Sequence, residues 1–171
     1  ISTNLATAFA QNGSKVLLMD CDMRKGRLHK IFGIENDKGL SNLLLENVEV
    51  RFNSYIRRTR IENLYLLPKG VVPPNPSELL NSPKTKVLLR TLADKFDYII
   101  LDGTPVNGLT DSLILTKYVD KTVIVASLNK TKTSELEFTK KSLISVGASI
   151  AGVIVNRTQD IHGSYYGNYY E

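Results

Sequence analysis

The sequence predicts an α/β fold in which a predominantly parallel sheet carries helices on both faces. Three observations predict it. Five short apolar runs are typical of buried strands, segments of helical length lie between most of them, and several of the runs end in a polar or acidic residue. Strands that alternate with helices form βαβ units, which place their strands in parallel. A length of 171 residues suits one domain with a proper core.

The elements follow one another in a regular order. Ile1, Leu5, Ala8 and Phe9 share one face of a helix over residues 1–12, and Gly13 provides its stop. Strands are predicted at 15–20, 65–67, 97–102, 121–127 and 149–156. Helices are predicted at 84–95, 110–118 and 133–146, with a short helix within 39–47 and a single turn at 76–80 in a proline-rich connection.

The end of the chain differs from the rest. After Asn156 the apolar periodicity stops, and four of the eight tyrosines fall in the last seven residues among Gly and Asn. Such a composition is typical of a mobile terminus. We therefore expect a domain over residues 1–157 and a flexible tyrosine-rich tail over residues 158–171.

Composition excludes several kinds of protein. No apolar run approaches the roughly 18 residues that a membrane span needs, so we expect a soluble chain. The single cysteine, Cys21, forms no internal disulfide and suits a reducing cytoplasm, and the two histidines lie too far apart to suggest a zinc site. A metal ion would therefore be an oxygen-ligated cation such as Mg²⁺. The net charge of +5 is too small to indicate a nucleic-acid partner.

Polar residues at the ends of the predicted strands are candidates for a binding site, because ligands of open α/β sheets gather at the carboxyl ends of the strands. Such residues close four of the predicted strands: Asp20 and Asp22, Asp102 with Thr104, Ser127 with Asn129, and Asn156. Carboxylates from two strands suit Mg²⁺ and a nucleotide phosphate. Each aspartate alone equally suits a cap of the following turn. In DCDMRKGR, however, acids and phosphate-seeking cations share one loop.

Four segments follow one another along the chain: LLMDCDMR, LPKGVVPPNPSELLNS, YIILDGTP and SYYGNYYE. In the same order they resemble the Walker A′ motif, the proline-rich stretch, the Walker B motif and the C-terminal tyrosine cluster of one family. That family is the bacterial tyrosine kinases that regulate capsule and exopolysaccharide synthesis. The resemblance runs from Ile1 to Glu171. Within these four segments it departs in one place, since the sequence has Asp-Gly-Thr-Pro at 102–105 where the family commonly has Asp-Thr-Pro-Pro.

The resemblance also shows what the sequence lacks. A P-loop of the form G-x-x-x-x-G-K-[ST], whose backbone amides and lysine cradle the phosphates, is not present in these 171 residues. In the family a helix similar to STNLATAFAQNG follows the P-loop directly. We therefore expect the first strand and the P-loop of this P-loop NTPase-like fold to precede Ile1, and the 171 residues alone to bind nucleotide poorly and to be inactive.

The resemblance implies a role for each matching residue. Asp20 would be the general base and a metal partner, Asp22 would support the Mg²⁺ shell, and Asp102 would hold the metal through water. Arg24, Asn156 and Arg157 would contact the nucleotide, with Asn156 at the position that reads adenine or, equally, as an ordinary polar end of a strand. The phosphate acceptors would be the tyrosines of the tail, namely Tyr165, Tyr166, Tyr169 and Tyr170.

The activity so implied is MgATP-dependent autophosphorylation of the tail between subunits. The implied partners are a membrane-anchored polysaccharide co-polymerase that activates the kinase, a tyrosine phosphatase, and further copies in a ring when the tail is unphosphorylated. The implied location is the cytoplasm, at the inner face of the membrane. Two alternatives remain: a partition or positioning ATPase of the same deviant Walker class, and a non-catalytic regulatory module of the polysaccharide machinery.

Overall fold

The fold is built around a four-stranded sheet. The computed structural model describes residues 1–46, 52–106, 108 and 110–158. The strands are β1 (Val16–Asp20), β2 (Arg57–Arg58), β3 (Leu64–Leu67) and β4 (Tyr98–Asp102). Their order across the sheet is β2-β3-β1-β4, with β1 parallel to both β3 and β4 and with β2 antiparallel to β3. The predicted parallel sheet is therefore confirmed, and its central strand β1 is buried along its whole length.

Helices cover both faces of this sheet. Successive side chains of β1 point to opposite faces, so Val16 and Leu18 pack in one core while Leu17 and Met19 pack in another. Helices α1 (Ser2–Gln11) and α2 (Leu28–Phe32) contribute to the first core. The second core takes its side chains from α3 (Leu40–Leu45), α4 (Pro76–Leu80), α5 (Pro83–Ala93) and α6 (Asp111–Leu115).

The last two strands form a sheet of their own. β5 (Thr122–Ser127) and β6 (Ile150–Asn156) are parallel to each other and are connected by α7 (Thr133–Ser145). Across the described ranges, neither the outer edge of β4 nor an edge of β5 pairs with the other sheet. The sequence predicts one sheet of five buried strands, whereas Val123, Val125, Val153 and Val155 are exposed here because nothing described covers them.

Element boundaries agree with the sequence to within one or two residues for most strands and helices. The predicted helix at 110–118 ends earlier, at Leu115, and continues as a 3₁₀ turn over Thr116–Tyr118. Two small elements were not predicted, namely α2 and a 3₁₀ turn over Phe52–Ser54. The basic run of Arg57, Arg58 and Arg60 suits an exposed edge or a loop, and its first two residues form the edge strand β2. No helix within the described parts of the chain has both the length and the apolar character to cross a membrane.

Candidate functional site

The carboxyl ends of β1 and β4 bring two aspartates side by side. Asp20 and Asp102 are register partners at the last position of the parallel pair, and the N–H of Cys21 donates to the Asp102 carbonyl at 2.9 Å. Parallel strands place their carboxyl ends at the same edge, and two of the site residues proposed from the sequence therefore lie together. Asp102 is half-buried, whereas Asp20 has no accessible surface.

Only one of the two oxygens of the Asp20 carboxylate has a hydrogen-bond partner. Its Oδ2 accepts a hydrogen bond from the N–H of Leu28 at 3.1 Å, while Oδ1 is buried and has no hydrogen-bond partner. Burial raises the pKa of Asp20 from 3.8 to about 6. The Leu28 N–H opposes this shift, the negative charges of Asp102 and Asp22 add to it, and the positive charge of Lys69 lowers it. The result is a carboxylate that is ionised at neutral pH yet more basic than an ordinary aspartate.

The loop after β1 is folded by Asp22. Its Oδ1 accepts from the N–H groups of Arg24 (3.1 Å) and Lys25 (2.8 Å), and its carbonyl accepts from the N–H of Gly26 at 2.7 Å. This turn brings Gly26 over Asp20. A Cβ atom at position 26 would lie 2.1 Å from Asp20 Oδ1 and 2.5 Å from the Asp22 carbonyl oxygen. A glycine is therefore required here, because any side chain would collide with the carboxylate that it covers.

Arg24 anchors the same loop to two helices. Its Nε donates to Asp111 Oδ2 at 3.1 Å, and the Ser77 hydroxyl, 3.4 Å from Arg24 Nη2, donates to the other Asp111 oxygen. Asp111 opens α6 and is 1% exposed in its side chain, and Ser77 lies on α4 in the proline-rich connection. The sequence predicted a nucleotide contact for Arg24. That role stays a prediction. What the structure shows is a structural contact, which the sequence could not reveal because the partners lie 53 and 87 residues away.

The loop after β4 accommodates the departure from the family pattern. A Cβ at Gly103 would lie 2.5 Å from the hydroxyl oxygen of Ser112. That hydroxyl donates to the Thr104 carbonyl at 2.6 Å. The glycine at the second position of Asp-Gly-Thr-Pro thus lets α6 approach the loop that carries Asp102, at a distance that the threonine of the common pattern would not permit without rearrangement.

Asn156 and Arg157 lie apart from the aspartates in topology. They follow β6 of the separate two-stranded sheet, where Asn156 is the register partner of Ser127. The Asn156 Oδ1 atom accepts from the N–H of Arg157 at 2.8 Å, and Arg157 has a left-handed backbone with φ of 60°. The nucleotide-binding role of this pair stays a prediction. The four tail tyrosines, Tyr165, Tyr166, Tyr169 and Tyr170, lie outside the described residues.

Sequence reasoning missed one charged residue at this edge. Lys69 follows β3, the strand on the other side of β1, and is 7% exposed. Its Nζ donates to the carbonyl of Met23, in the loop after β1, at 3.4 Å. The position of Lys69 could have identified it as a site residue. Lys69 lies two residues after the end of β3, just as Asp22 lies two residues after the end of β1.

The donor set suits a cation that takes part of its coordination from a substrate. In the described ranges no three His, Cys, Asp or Glu side chains cluster as a complete metal centre. Asp20 and Asp102 offer two carboxylates, and the buried Oδ1 of Asp20 still needs a partner. Mg²⁺ is usually bound in this way, by one or two carboxylates with phosphate and water oxygens. Cys21 is not a candidate ligand, since its burial raises the pKa of the thiol well above the ordinary value.

Comparison with known proteins agrees with this geometry. Residues 1–142 match the AAA domain family. The chain is 37% identical to the putative tyrosine-protein kinase CapB of Staphylococcus aureus, over 100% of the chain and 75% of CapB. It is 39% identical to the tyrosine-protein kinase Ptk of Acinetobacter johnsonii over 96% of the chain, but it spans only 22% of the length of Ptk.

Solved structures give the same result. The chimerical protein CapA2B2 superposes with a TM-score of 0.87 at 38% identity, over 92% of this chain and 69% of that one. The septum site-determining protein MinD of Pyrococcus horikoshii, at 22% identity and a TM-score of 0.73 over 92% of this chain and 65% of its own, shares the fold. Because the AAA match covers most of the sequence and the similarity to CapB extends over the whole chain and 75% of CapB, the chain belongs to the family of bacterial tyrosine kinases.

Proposed function

We propose that the protein is a tyrosine autokinase that transfers the γ-phosphate of ATP to its own tail tyrosines, Tyr165, Tyr166, Tyr169 and Tyr170. The observation that carries the proposal is the paired strand ends of Asp20 and Asp102, with an unpartnered buried Oδ1 on Asp20. The tyrosine cluster supplies an acceptor that a partition or positioning ATPase has no need of.

Asp20 acts as the general base in this proposal. Its carboxylate takes the proton of the tyrosine hydroxyl as the tyrosine oxygen bonds to the γ-phosphorus and the bond from that phosphorus to the bridging oxygen breaks, which releases ADP. A pKa of about 6 suits this role, because the group is ionised at neutral pH and still attracts a proton. When bound, Mg²⁺ would offset the negative charge of the phosphates, held by Asp20 and Asp102.

The loop over Asp20 has to open for this chemistry. Gly26 covers Oδ1, and Asp20 has no accessible surface, so the carboxylate reaches a hydroxyl or a metal ion only after the loop over residues 21–27 shifts aside. Asp22 and Arg24 determine where that loop rests. In the proposal they serve to position Asp20, and Arg24 retains N–H groups for a phosphate oxygen.

The P-loop, in this proposal, lies on a strand that precedes Ile1 and fits between β4 and β5. Two features support it. The valines of β5 and β6 and the side chain of Tyr98 on β4 are exposed, although parallel strands are normally covered. In addition, α1 packs on β1 while its Phe9 stacks on Tyr98 with ring centroids 4.4 Å apart. A helix lying across β1 and β4 is the expected crossover from a strand beyond β4 to β1.

The wider role rests on the resemblance to the bacterial tyrosine kinases of capsule and exopolysaccharide synthesis. We propose that phosphorylation takes place between subunits of a ring, that a membrane-anchored polysaccharide co-polymerase activates the kinase, and that a tyrosine phosphatase reverses the modification. The cytoplasmic domain would then regulate capsule or exopolysaccharide synthesis and export at the inner face of the membrane. The likeness to CapB and to the CapA2B2 chimera supports this assignment.

Phosphosite mapping tests the function. The full-length natural protein, with its activator, is incubated with MgATP and digested for mass spectrometry, beside a variant with Tyr→Phe at the four tail positions. We expect phosphotyrosine in the tail of the wild type and its loss in the variant. Mg²⁺-dependent ATP hydrolysis without phosphotyrosine would favour the positioning ATPase, and absence of Mg²⁺-dependent ATP binding would favour the non-catalytic module.

A further inference from the structure

Among the residues that the structure describes, Lys69 is a buried cation without a carboxylate partner. It is 7% exposed, and no carboxylate oxygen within the described ranges lies within 4 Å of its Nζ. Its hydrogen bond goes to a neutral acceptor, the carbonyl of Met23, which is itself fully buried. Burying an ammonium group in this way carries a desolvation cost that a methionine of similar length would not carry. Packing alone therefore does not explain a lysine at this position.

The backbone of Lys69 is held rigidly. The N–H of Ser41, in α3, donates to the Lys69 carbonyl at 3.0 Å. The side-chain amide of Asn36 donates to the Gly70 carbonyl at 2.8 Å and accepts from the Gly70 N–H at 3.0 Å. Gly70 has a φ of 79°, and a Cβ there would lie 2.3 Å from Asn42 Oδ1. The ammonium group thus extends from a fixed point towards the loop after β1.

The positive charge of Lys69 acts on Asp20 at the centre of the site. The positive charge of Lys69 favours the ionised form of Asp20 and disfavours the charged form of His29. Three negative side chains lie at this edge, namely Asp20, Asp22 and Asp102. Arg24 forms an ion pair with Asp111 instead of with one of them. Lys69 is therefore the buried positive charge that faces this acidic edge from the β3 side.

We propose that Lys69 is a positioning residue of the phosphoryl-transfer site: it fixes the loop over residues 21–27 through the Met23 carbonyl and offsets the negative charge around Asp20. The activity measurement that tests this assignment rests on the proposed function, whereas the measurement of the loop does not. The loop that carries Asp22 and Arg24 is then attached on two sides, to Asp111 by an ion pair and to the connection after β3 by Lys69.

Three variants of the full-length protein test the assignment: Lys69→Met, Lys69→Arg, and the control Lys86→Met, whose lysine is exposed on α5. For Lys69→Met we expect kcat for tail phosphorylation to fall about tenfold or more while KM for ATP stays within about threefold, with no loss of thermal stability. Lys69→Arg, which keeps the charge and a donor, is expected to recover most of kcat. If Lys69 had a purely structural role, kcat and thermal stability would fall together in Lys69→Met.

Amide hydrogen exchange gives a readout that needs no kinase activity. Without ATP, the amides of Lys25 and Gly26, which bond within the loop, are expected to lose about tenfold of their protection in Lys69→Met and none in Lys86→Met. Unchanged protection in Lys69→Met would overturn the assignment, as would a loss of kcat no greater than the loss of folded protein. A wild type with no kinase activity would refute the proposed function, whereas the exchange result would still decide the role of Lys69.

Discussion

Replacing Asp20 with asparagine is expected to stabilise the fold at neutral pH. The carboxylate has no accessible surface, one of its oxygens has no hydrogen-bond partner, and its pKa is raised from 3.8 to about 6. Asparagine keeps an acceptor for the Leu28 N–H and carries no charge. The variant therefore removes the cost of ionising a buried group and leaves the local hydrogen bond in place.

The magnitude follows from the shift in pKa. A difference of about 2 units, at about 1.4 kcal/mol per unit, gives the wild type a penalty of about 3 kcal/mol at pH 7 that Asp20→Asn does not have. The sign is fixed because the folded state holds this proton more tightly than the unfolded state, so the stability of the wild type falls as pH rises from about 4 to about 6. Near pH 4 the difference between the two proteins shrinks to under about 1 kcal/mol.

Urea unfolding of the full-length protein in EDTA, at pH 4 and at pH 7, measures both effects. Asp120→Asn, which changes an exposed aspartate, is the matched control and is expected to change the free energy of unfolding by less than about 0.5 kcal/mol at either pH. Kinase activity of Asp20→Asn is expected to be lost although its stability rises. Equal or lower stability of Asp20→Asn at pH 7, or a difference that does not depend on pH, would refute the reasoning.

Three further substitutions test other parts of the account. Gly26→Ala places a Cβ 2.1 Å from Asp20 Oδ1 and is expected to lower the rate of tail phosphorylation at least tenfold. The control Gly152→Ala adds its Cβ in open space and is expected to leave that rate unchanged. Equal rates for the two variants would contradict the close contact between residue 26 and Asp20. Arg24→Met removes the ion-pair partner of the buried aspartate of α6 and is expected to cost about 2 kcal/mol in urea unfolding, while a neutral effect would show the pair to be dispensable. Val125 is 51% exposed here, and Val125→Asp is expected to lower the free energy of unfolding of the full-length protein by more than about 2 kcal/mol if a strand covers β5. The control Val72→Asp, at a position 61% exposed in the proline-rich connection, is expected to change that free energy by less than about 0.5 kcal/mol. Similar effects of the two variants would count against the covering strand.

The strands were predictable because each is a continuous apolar run with a polar residue at its end. The run at 97–102 became Tyr98–Asp102 and the run at 15–20 became Val16–Asp20, each shifted by one residue at its start. The meeting of Asp20 and Asp102 followed directly, since parallel strands share one carboxyl edge. The sequence did not predict that the strands would fall into two sheets, because pairing at the edges of β4 and β5 depends on what lies between them.

The elements that were missed carry little local signal. α2 is five residues long and has no side-chain cap, although the left-handed Gly33 at its end is a typical stop. β2 is two arginines of a basic run that suits an exposed edge or a loop, and pairing with β3 rather than propensity makes it a strand.

The missed parts of the site are contacts between distant segments. Lys69 reaches a carbonyl 46 positions away, and Arg24 finds its partner 87 positions away. Gly26 looks like an ordinary loop glycine until the fold places it against Asp20. A motif predicts which side chains carry the chemistry, whereas the groups that position them depend on the tertiary fold.

The most direct test of the central claim is the intact mass of the full-length protein and of Asp20→Asn after incubation with MgATP and the activator. We expect stepwise addition of phosphate to the wild type, confined to Tyr165, Tyr166, Tyr169 and Tyr170, and none to the variant. Phosphate on the tail of Asp20→Asn at the wild-type rate, or an unmodified wild type that binds MgATP, would contradict it.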